Sequence, residues 1–241
     1  MTTPKHASVT CIIPVYNGAR FIQETLDSVL AQTHPVQEIY VVDDGSTDET
    51  GAVVETCAAN AAGKIRYLWQ ENAGSAAARN RGIQASTGEF IAFLDADDLW
   101  QPEKIARQLA RFAARPELGI SVTHIQNFWM DEVRHEAERL GDHPRTKPMA
   151  GYSLSTLMTR RAVLEQIGLL DTILLYSDDT EWFMRAKDAQ VIDELMPDVL
   201  VMRRMHLHNI SRRHAKASQV EYLRLLRART RRGSEQATSK A

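Results

Sequence analysis

An α/β fold with a largely parallel central sheet is what this sequence predicts, and three observations carry the prediction. Over the first hundred residues, short apolar runs alternate with helical patterns, which implies parallel strands joined by right-handed crossovers. Two of those runs stop abruptly in carboxylates, at Asp43-Asp44 and at Asp95-Ala96-Asp97-Asp98, and successive parallel strands bring such ends to one sheet edge. A chain of 241 residues with 44% hydrophobic and 25% charged content suits one α/β domain with a small appendage.

The elements follow in order. Residues 8–13 read as a buried strand ending at Pro14, after which Asn17 offers an N-cap to an amphipathic helix carrying Phe21, Ile22, Leu26, Val29 and Leu30. Residues 38–42 form a second strand, Asp48 sits near the next helix start, residues 49–60 are helical, and residues 65–69 form a third strand. Asn72-Ala73-Gly74 opens a helix of small residues, 75–82, that carries Arg79 and Arg81. Residues 89–94 form a strand that is apolar from Phe90 to Leu94, as burial on both faces requires, and they deliver Asp95, Asp97 and Asp98.

In an open α/β sheet the carboxyl edge is where ligands bind. Clustered carboxylates there repel one another unless a hard cation joins them, and Mg²⁺ or Mn²⁺ does so, usually together with substrate phosphates. A carboxylate at the first strand end can accept hydrogen bonds from a nucleobase imide or a ribose hydroxyl. Arg79 and Arg81 can add positive charge nearby. Each element alone has a plainer reading: Asp43-Asp44-Gly45-Ser46 is a good turn sequence, Arg79 a helix-surface charge, and the small residues at 74–78 a tight helix–sheet contact. Their shared edge is what favours a site.

In the second half, residues 104–114 are helical with Leu109 and Phe112 facing inward, and residues 120–123 form a strand. Between His124 and Ala150 the pattern breaks into polar sequence with isolated Phe128, Trp129 and Met130, an irregular stretch that reads as an acceptor-side loop. Residues 153–158 resume as a strand, and a short helix over 160–167 ends at Gly168. A further helix starts at Asp178-Asp179, either of which can cap it, with Trp182 and Phe183 on its buried side.

Pro14-Val-Tyr-Asn17, Val42-Asp-Asp-Gly-Ser-Thr-Asp48, Asn72-Ala-Gly74 with Ala78-Arg-Asn-Arg-Gly82, and Gly88-Glu-Phe-Ile-Ala-Phe-Leu-Asp-Ala-Asp-Asp98 together resemble the family 2 glycosyltransferases, over roughly residues 8–211. The resemblance implies the GT-A fold, a mostly parallel but mixed sheet flanked by helices, with a nucleotide-binding half followed by an acceptor-binding half. It implies an inverting transferase that uses a nucleoside-diphosphate sugar, UDP-linked, and a divalent metal, Mg²⁺ or Mn²⁺. By the same resemblance Pro14 and Tyr16 line the base pocket, Asp44 binds the base, Arg79 lies beside the nucleotide, Asp95 approaches the ribose or metal, and Asp97 ligates the metal. Residues 176–187 resemble the family's Glu-Asp pair before an aromatic and a later Arg, which makes Asp179 the catalytic base. Arg204-Met-His206-Leu-His208-Asn209-Ile-Ser211 is similar to a further family pattern and marks His206 for metal or diphosphate, with His208 left to the surface. Two positions depart from the pattern. Gly18 stands where many members have Glu, and Asp178 stands where Glu is commoner.

A net charge of −2 argues against a general nucleic-acid binder, but it hides an asymmetry. Residues 212–241 carry nine Lys and Arg against two Asp and Glu, and the first 211 residues carry 20 against 29. The boundaries drawn are therefore 1–211 for the transferase domain, with halves at about 8–100 and 101–211, and 212–241 for a basic helix and a tail disordered from Gly233. Val220, Leu223 and Leu226 alternate with Arg224, Arg227 and Arg231; this helix can lie on an anionic membrane or, as its short apolar stripe favours, pack on the acidic body. Cys11 and Cys57 lie in apolar surroundings as reduced core residues, and no apolar run approaches a signal peptide or a membrane span. The expectation is a cytoplasmic protein, with peripheral contact at the inner face of the membrane the alternative. The acceptor stays open among glycan, lipid-linked sugar, peptide and small molecule. A non-catalytic nucleotide-sugar-binding module is the rival reading. A nucleotidyltransferase is disfavoured because Pro14-Val-Tyr-Asn-Gly18 is no Gly-rich, basic triphosphate loop.

Overall fold

The computed structural model describes residues 7–209, 212 and 214–238. Strands β1 (Val9–Val15), β2 (Glu38–Asp43), β3 (Ile65–Trp69) and β4 (Phe90–Phe93) are parallel, with β2 and β4 flanking β1 and β3 outside β2. Helices α1 (Ile22–Leu30), α2 (Thr50–Ala59) and α3 (Ser75–Ala85) make the crossovers. β1 and β4 are buried at every position, which is why they read as unbroken apolar runs.

The chain continues through β5 (Leu99–Trp100), α4 (Lys104–Ala114), β6 (Ile120–Trp129), α5 (Arg134–Leu140), β7 (Met149–Ala150), β8 (Met158–Arg160), α6 (Arg161–Ile167), α7 (Asp178–Asp188), β9 (Asp193–Met205) and α8 (Ala215–Thr238). The mixed sheet runs β3-β2-β1-β4-β8-β6-β9-β5, with β7 on β6. β8 pairs antiparallel to both β4 and β6, so it joins the parallel half to the rest. Side chains alternate across the sheet. Cys11, Ile13 and Val15 pack with Ile22, Leu26, Ile105 and Leu109 on one face, and Ile12 packs with Ala78, Ile83 and Trp182 on the other. α3 lies so close to β1 that a Cβ on Gly82 would come within 2.5 Å of the Ile12 side chain. That contact accounts for the small residues of this helix.

Several expectations are corrected. β1 does not stop at Pro14 but runs to Val15; Ile12 O accepts Leu94 N, so Pro14 faces the side on which β4 has already ended, and its missing N–H breaks no ladder. Asn17 is not the cap of α1. It sits at φ +52°, its Oδ1 accepts Thr47 N at 2.8 Å, and α1 begins only at Ile22. The 124–150 stretch is not irregular throughout. β6 continues to Trp129, and α5 and β7 follow, with Asn127 Nδ2 donating to Arg145 O at 2.9 Å. Residues 153–158 form mainly a 3-10 turn, Leu154–Thr156, and only Met158–Arg160 joins the sheet. α8 continues past Gly233 to Thr238, and residues 239–241 lie outside the described residues. Among the described residues no helix is long and apolar enough to cross a membrane.

Candidate active site

The C-terminal ends of β1, β2 and β4 meet at one edge. Asp44 N donates to Val15 O at 2.8 Å, which sets the end of β2 beside Tyr16, a ring 54% exposed. Pro14, expected in the pocket wall, is buried within β1 behind Tyr16. Asp44 is also buried: its Oδ1 accepts Gln70 Nε2 at 2.7 Å and Ala73 N at 2.8 Å, and its Oδ2 accepts Gly74 N at 2.8 Å. The carboxylate therefore shapes the loop that enters α3, and of its roughly four lone-pair sites one stays available. Asp43 serves the turn alone, accepting Ser46 N and the Tyr67 hydroxyl. Gly18, the departure from the family pattern, is constrained locally, since a Cβ there would lie 2.5 Å from Val15 Cγ2.

The three carboxylates after β4 diverge. Asp95 Oδ1 accepts Arg79 Nη2 at 2.7 Å, while Asp95 N donates to Ser155 Oγ at 3.2 Å. Asp97 Oδ2 accepts His206 Nε2 at 2.9 Å and Asn209 Nδ2 at 3.2 Å. Asp98 turns inward, where Oδ1 accepts Arg204 N at 2.9 Å; burial beside Asp97 and Asp95 pushes its carboxyl well above the usual range. Arg204 then locks the end of β9 in place. It donates to Asp97 O at 2.8 Å and to Glu24 at 2.8 Å, and its guanidinium lies between the rings of Phe21 and Phe128 at 4.6 and 4.9 Å. His206 packs on Phe21 with ring centroids 4.7 Å apart, and His208 is exposed as expected.

The carboxylates of Asp97 and the half-exposed Asp95 make a hard-oxygen donor set suited to Mg²⁺ or Mn²⁺, and His206 Nε2 would join it on exchanging its bond to Asp97 for the cation. Among the described residues no three His, Cys, Asp or Glu side chains converge as a cage. The set fits a cation that shares its shell with a diphosphate, the usual arrangement for these ions.

The opposite wall is the start of α7. Arg79 is buried and spans the gap, donating to Asp95 and, through Nη1, to Asp178 Oδ2 at 3.2 Å. Asp178, Asp179 and Glu181 occupy the first turn of α7, where they complement the helix dipole, although the N-cap position is Ser177. Asp179 Oδ1 accepts Thr180 N at 2.6 Å. Burial, then the neighbouring Asp178 charge, raises the Asp179 carboxyl to about 6 against the pull of Thr180 N and Arg79. Buried Trp182, whose Nε1 donates to Gly168 O at 3.1 Å, and Arg185, which donates to Leu169 O at 2.7 Å, fix α7 against the preceding loop.

Tyr16, Asp44, Asp95 and Asp97 thus lie at the sheet edge with Pro14 behind them, His206 is bonded to Asp97, and Arg79 bridges Asp95 to Asp178, the neighbour of Asp179 on α7. Sequence reasoning missed Asn209, Arg204 and Ser155 as parts of the site. Asn209 and Arg204 stood in the string that marked His206, whereas no local signal marked Ser155.

Comparison with known proteins identifies the family and the fold. The model of glycosyl transferase family 2 matches residues 10–168. An uncharacterized glycosyltransferase of Rickettsia typhi is 34% identical over 209 residues, 82% of this chain and 64% of the relative. A putative teichuronic acid biosynthesis glycosyltransferase of Bacillus subtilis, TuaG, is 40% identical over 137 residues, 55% of this chain and 54% of its own. This chain therefore spans only part of the length of these relatives. Among solved structures, S. aureus TarS in complex with UDP superposes with a TM-score of 0.65 at 22% identity, over 82% of this chain and 60% of TarS. The mannosyltransferase PcManGT of Pyrobaculum calidifontis, in complex with GDP-Man and Mn²⁺, superposes at 0.69 and 24% identity, over 91% of this chain and 64% of that one. The fold is GT-A, and the chain belongs to glycosyl transferase family 2.

Proposed function

We propose that this chain moves a sugar from a nucleoside-diphosphate sugar, UDP-linked, to an acceptor hydroxyl by a single displacement that inverts the anomeric carbon. The observation that carries the reading is Asp179, a carboxyl raised to about 6 and separated from the sheet-edge carboxylates only by the Arg79 bridge. Holding a carboxylate there opposes folding above pH 6, which a mere binding module has no use for, whereas a general base works best near the operating pH. Asp44 accepts the base imide through its remaining lone pair, and the Tyr16 ring covers the base. Asp179 Oδ2, which accepts no hydrogen bond among the described residues, takes the acceptor proton as the new C–O bond forms. Asp97 and His206 would hold a divalent cation, which would supply positive charge to the departing diphosphate. Support comes from the family match, from the UDP, UDP-GlcNAc and GDP-Man complexes of TarS and PcManGT, and from the Mn²⁺ of the latter. The test is titration calorimetry of UDP and UDP-sugars with and without Mn²⁺, followed by donor turnover. Metal-dependent binding with slow donor hydrolysis is expected; no binding of any nucleoside diphosphate with metal present sinks the reading.

A further inference from the structure

Among the described residues, one side of the basic helix α8 makes polar contacts with the body. Glu221 Oε1 accepts Leu175 N at 3.0 Å and Oε2 accepts Tyr176 N at 2.8 Å, the Tyr176 ring stacks on His214 at 5.3 Å, and Arg229 pairs with Asp188. Glu221, Leu225 and Arg229 recur at helical spacing and are half-buried, so they form the inner face. The outer face is different in kind. Lys216, Arg224 and Arg227 are exposed there and carry no ion pair among the described residues. Val220 and Leu223 lie between them, 47% and 44% exposed, at spacings that keep all five residues on one side of the helix. The loop that Glu221 binds adds Ile173 and Leu175, 85% and 62% exposed. Glu221 therefore welds loop and helix into one unit that presents four apolar side chains and three unpaired cations.

We infer that this unit docks on an anionic lipid bilayer. Apolar tips set among cations match the layered chemistry of a membrane interface, where side chains enter the headgroup boundary and Lys and Arg meet anionic headgroups. Charge also sets the orientation. The first 211 residues hold 20 Lys and Arg against 29 Asp and Glu, so an anionic surface repels the body and attracts the face of α8. The docked loop ends at Leu175, three residues before α7 begins at Asp178. The inference concerns binding and stands whether or not Asp179 acts as a base.

The test is co-sedimentation of the full chain with vesicles of phosphatidylcholine alone or mixed with phosphatidylglycerol. The parent should bind the mixed vesicles, bind phosphatidylcholine weakly, and dissociate as salt rises. Each Lys or Arg near an anionic leaflet adds about fivefold to partitioning, so Arg224→Glu with Arg227→Glu should weaken binding by at least about tenfold. Arg66→Glu with Arg107→Glu makes the same change in net charge away from α8 and should not. All four positions are exposed and none belongs to the site, and circular dichroism checks that each variant is folded. A second variant, Leu175→Trp, keeps the face apolar, and its added emission should shift to the blue on mixed vesicles. Failure of the parent to bind, equal loss in both double variants, or no emission shift overturns the inference. So does a self-associated parent that the α8 variant dissociates, which would assign the face to a second copy of the chain.

Discussion

Arg79 Nη1 donates to Asp178 Oδ2 at 3.2 Å, a bond between side chains 99 positions apart that are each about nine-tenths buried. It ties α3, on the nucleotide side, to the first turn of α7, and with the Arg79–Asp95 pair it forms the bridge between the two walls of the site. Cutting one member of a buried pair strands the other. Arg79→Met should therefore destabilise the fold by about 3–5 kcal/mol, far more than loss of a surface ion pair. Urea unfolding gives the number, and a loss below about 1 kcal/mol would show the pair to be solvated and dispensable.

Asp97→Asn tests the cation site. The substitution removes charge but almost no volume, and the Asn carbonyl oxygen can still accept from His206 Nε2. Metal-dependent UDP binding should be lost in calorimetry while the unfolding midpoint stays near that of the parent. A variant that binds metal and nucleotide as the parent does removes Asp97 from the ligand set.

The parallel half was legible because its strands are buried on both faces and its site residues sit at strand ends within contiguous motifs. β9 was not, because Pro197 interrupts it, and a mid-run proline argues against a strand. The structure accommodates Pro197 and Asp198 in a bulge, where the pairing with β6 jumps from Met196 to Val199. His124–Trp129 escaped for a related reason: there β6 is only partly covered, so its polar positions resemble a loop. Asn209 and Arg204 stood in the string that marked His206, but nothing local names the partners they reach. Asn209 reaches Asp97 across 112 positions and Arg204 reaches Asp98 across 106, so only the folded sheet brings them together.

Lys104 gives a prediction for pH. It is fully buried over the Trp100 ring at 4.3 Å with Gln108 Oε1 as its acceptor, and burial lowers its ammonium to about 7. The unfolded chain keeps that proton to about 10.4. Between pH 7 and 10 the unfolded state thus holds more protons, and stability from this group rises with pH by up to about 1.4 kcal/mol per unit. Below pH 7 both states are charged and the burial penalty is constant. Lys104→Met should flatten this rise relative to the parent, whatever it costs Gln108. Denaturant midpoints across the range read the slope, and parallel curves for the two proteins would mean that Lys104 does not titrate there.

Asp179→Asn should separate binding from chemistry. Asn keeps the volume of Asp and can still accept from Thr180 N, so affinity for donor and metal should stay within a few-fold. Proton removal from the acceptor should fail, which costs about 10²–10⁴ in turnover. In the parent the base works only when ionised, so transfer should rise with pH through about 6 and level off above it. The variant should lose this limb along with the rate. Stability should move the opposite way: a folded-state carboxyl raised above its unfolded value loses stability as pH rises from about 4 to 6, so Asp179→Asn should be the more stable protein at pH 7. Asp178→Asn should do much less to turnover, because Asp178 meets Arg79 rather than the open site. Transfer kinetics with any competent acceptor, run beside thermal unfolding at pH 5 and pH 7, separate the two residues. Equal losses in the two variants, or a pH limb that survives in Asp179→Asn, would place the base elsewhere.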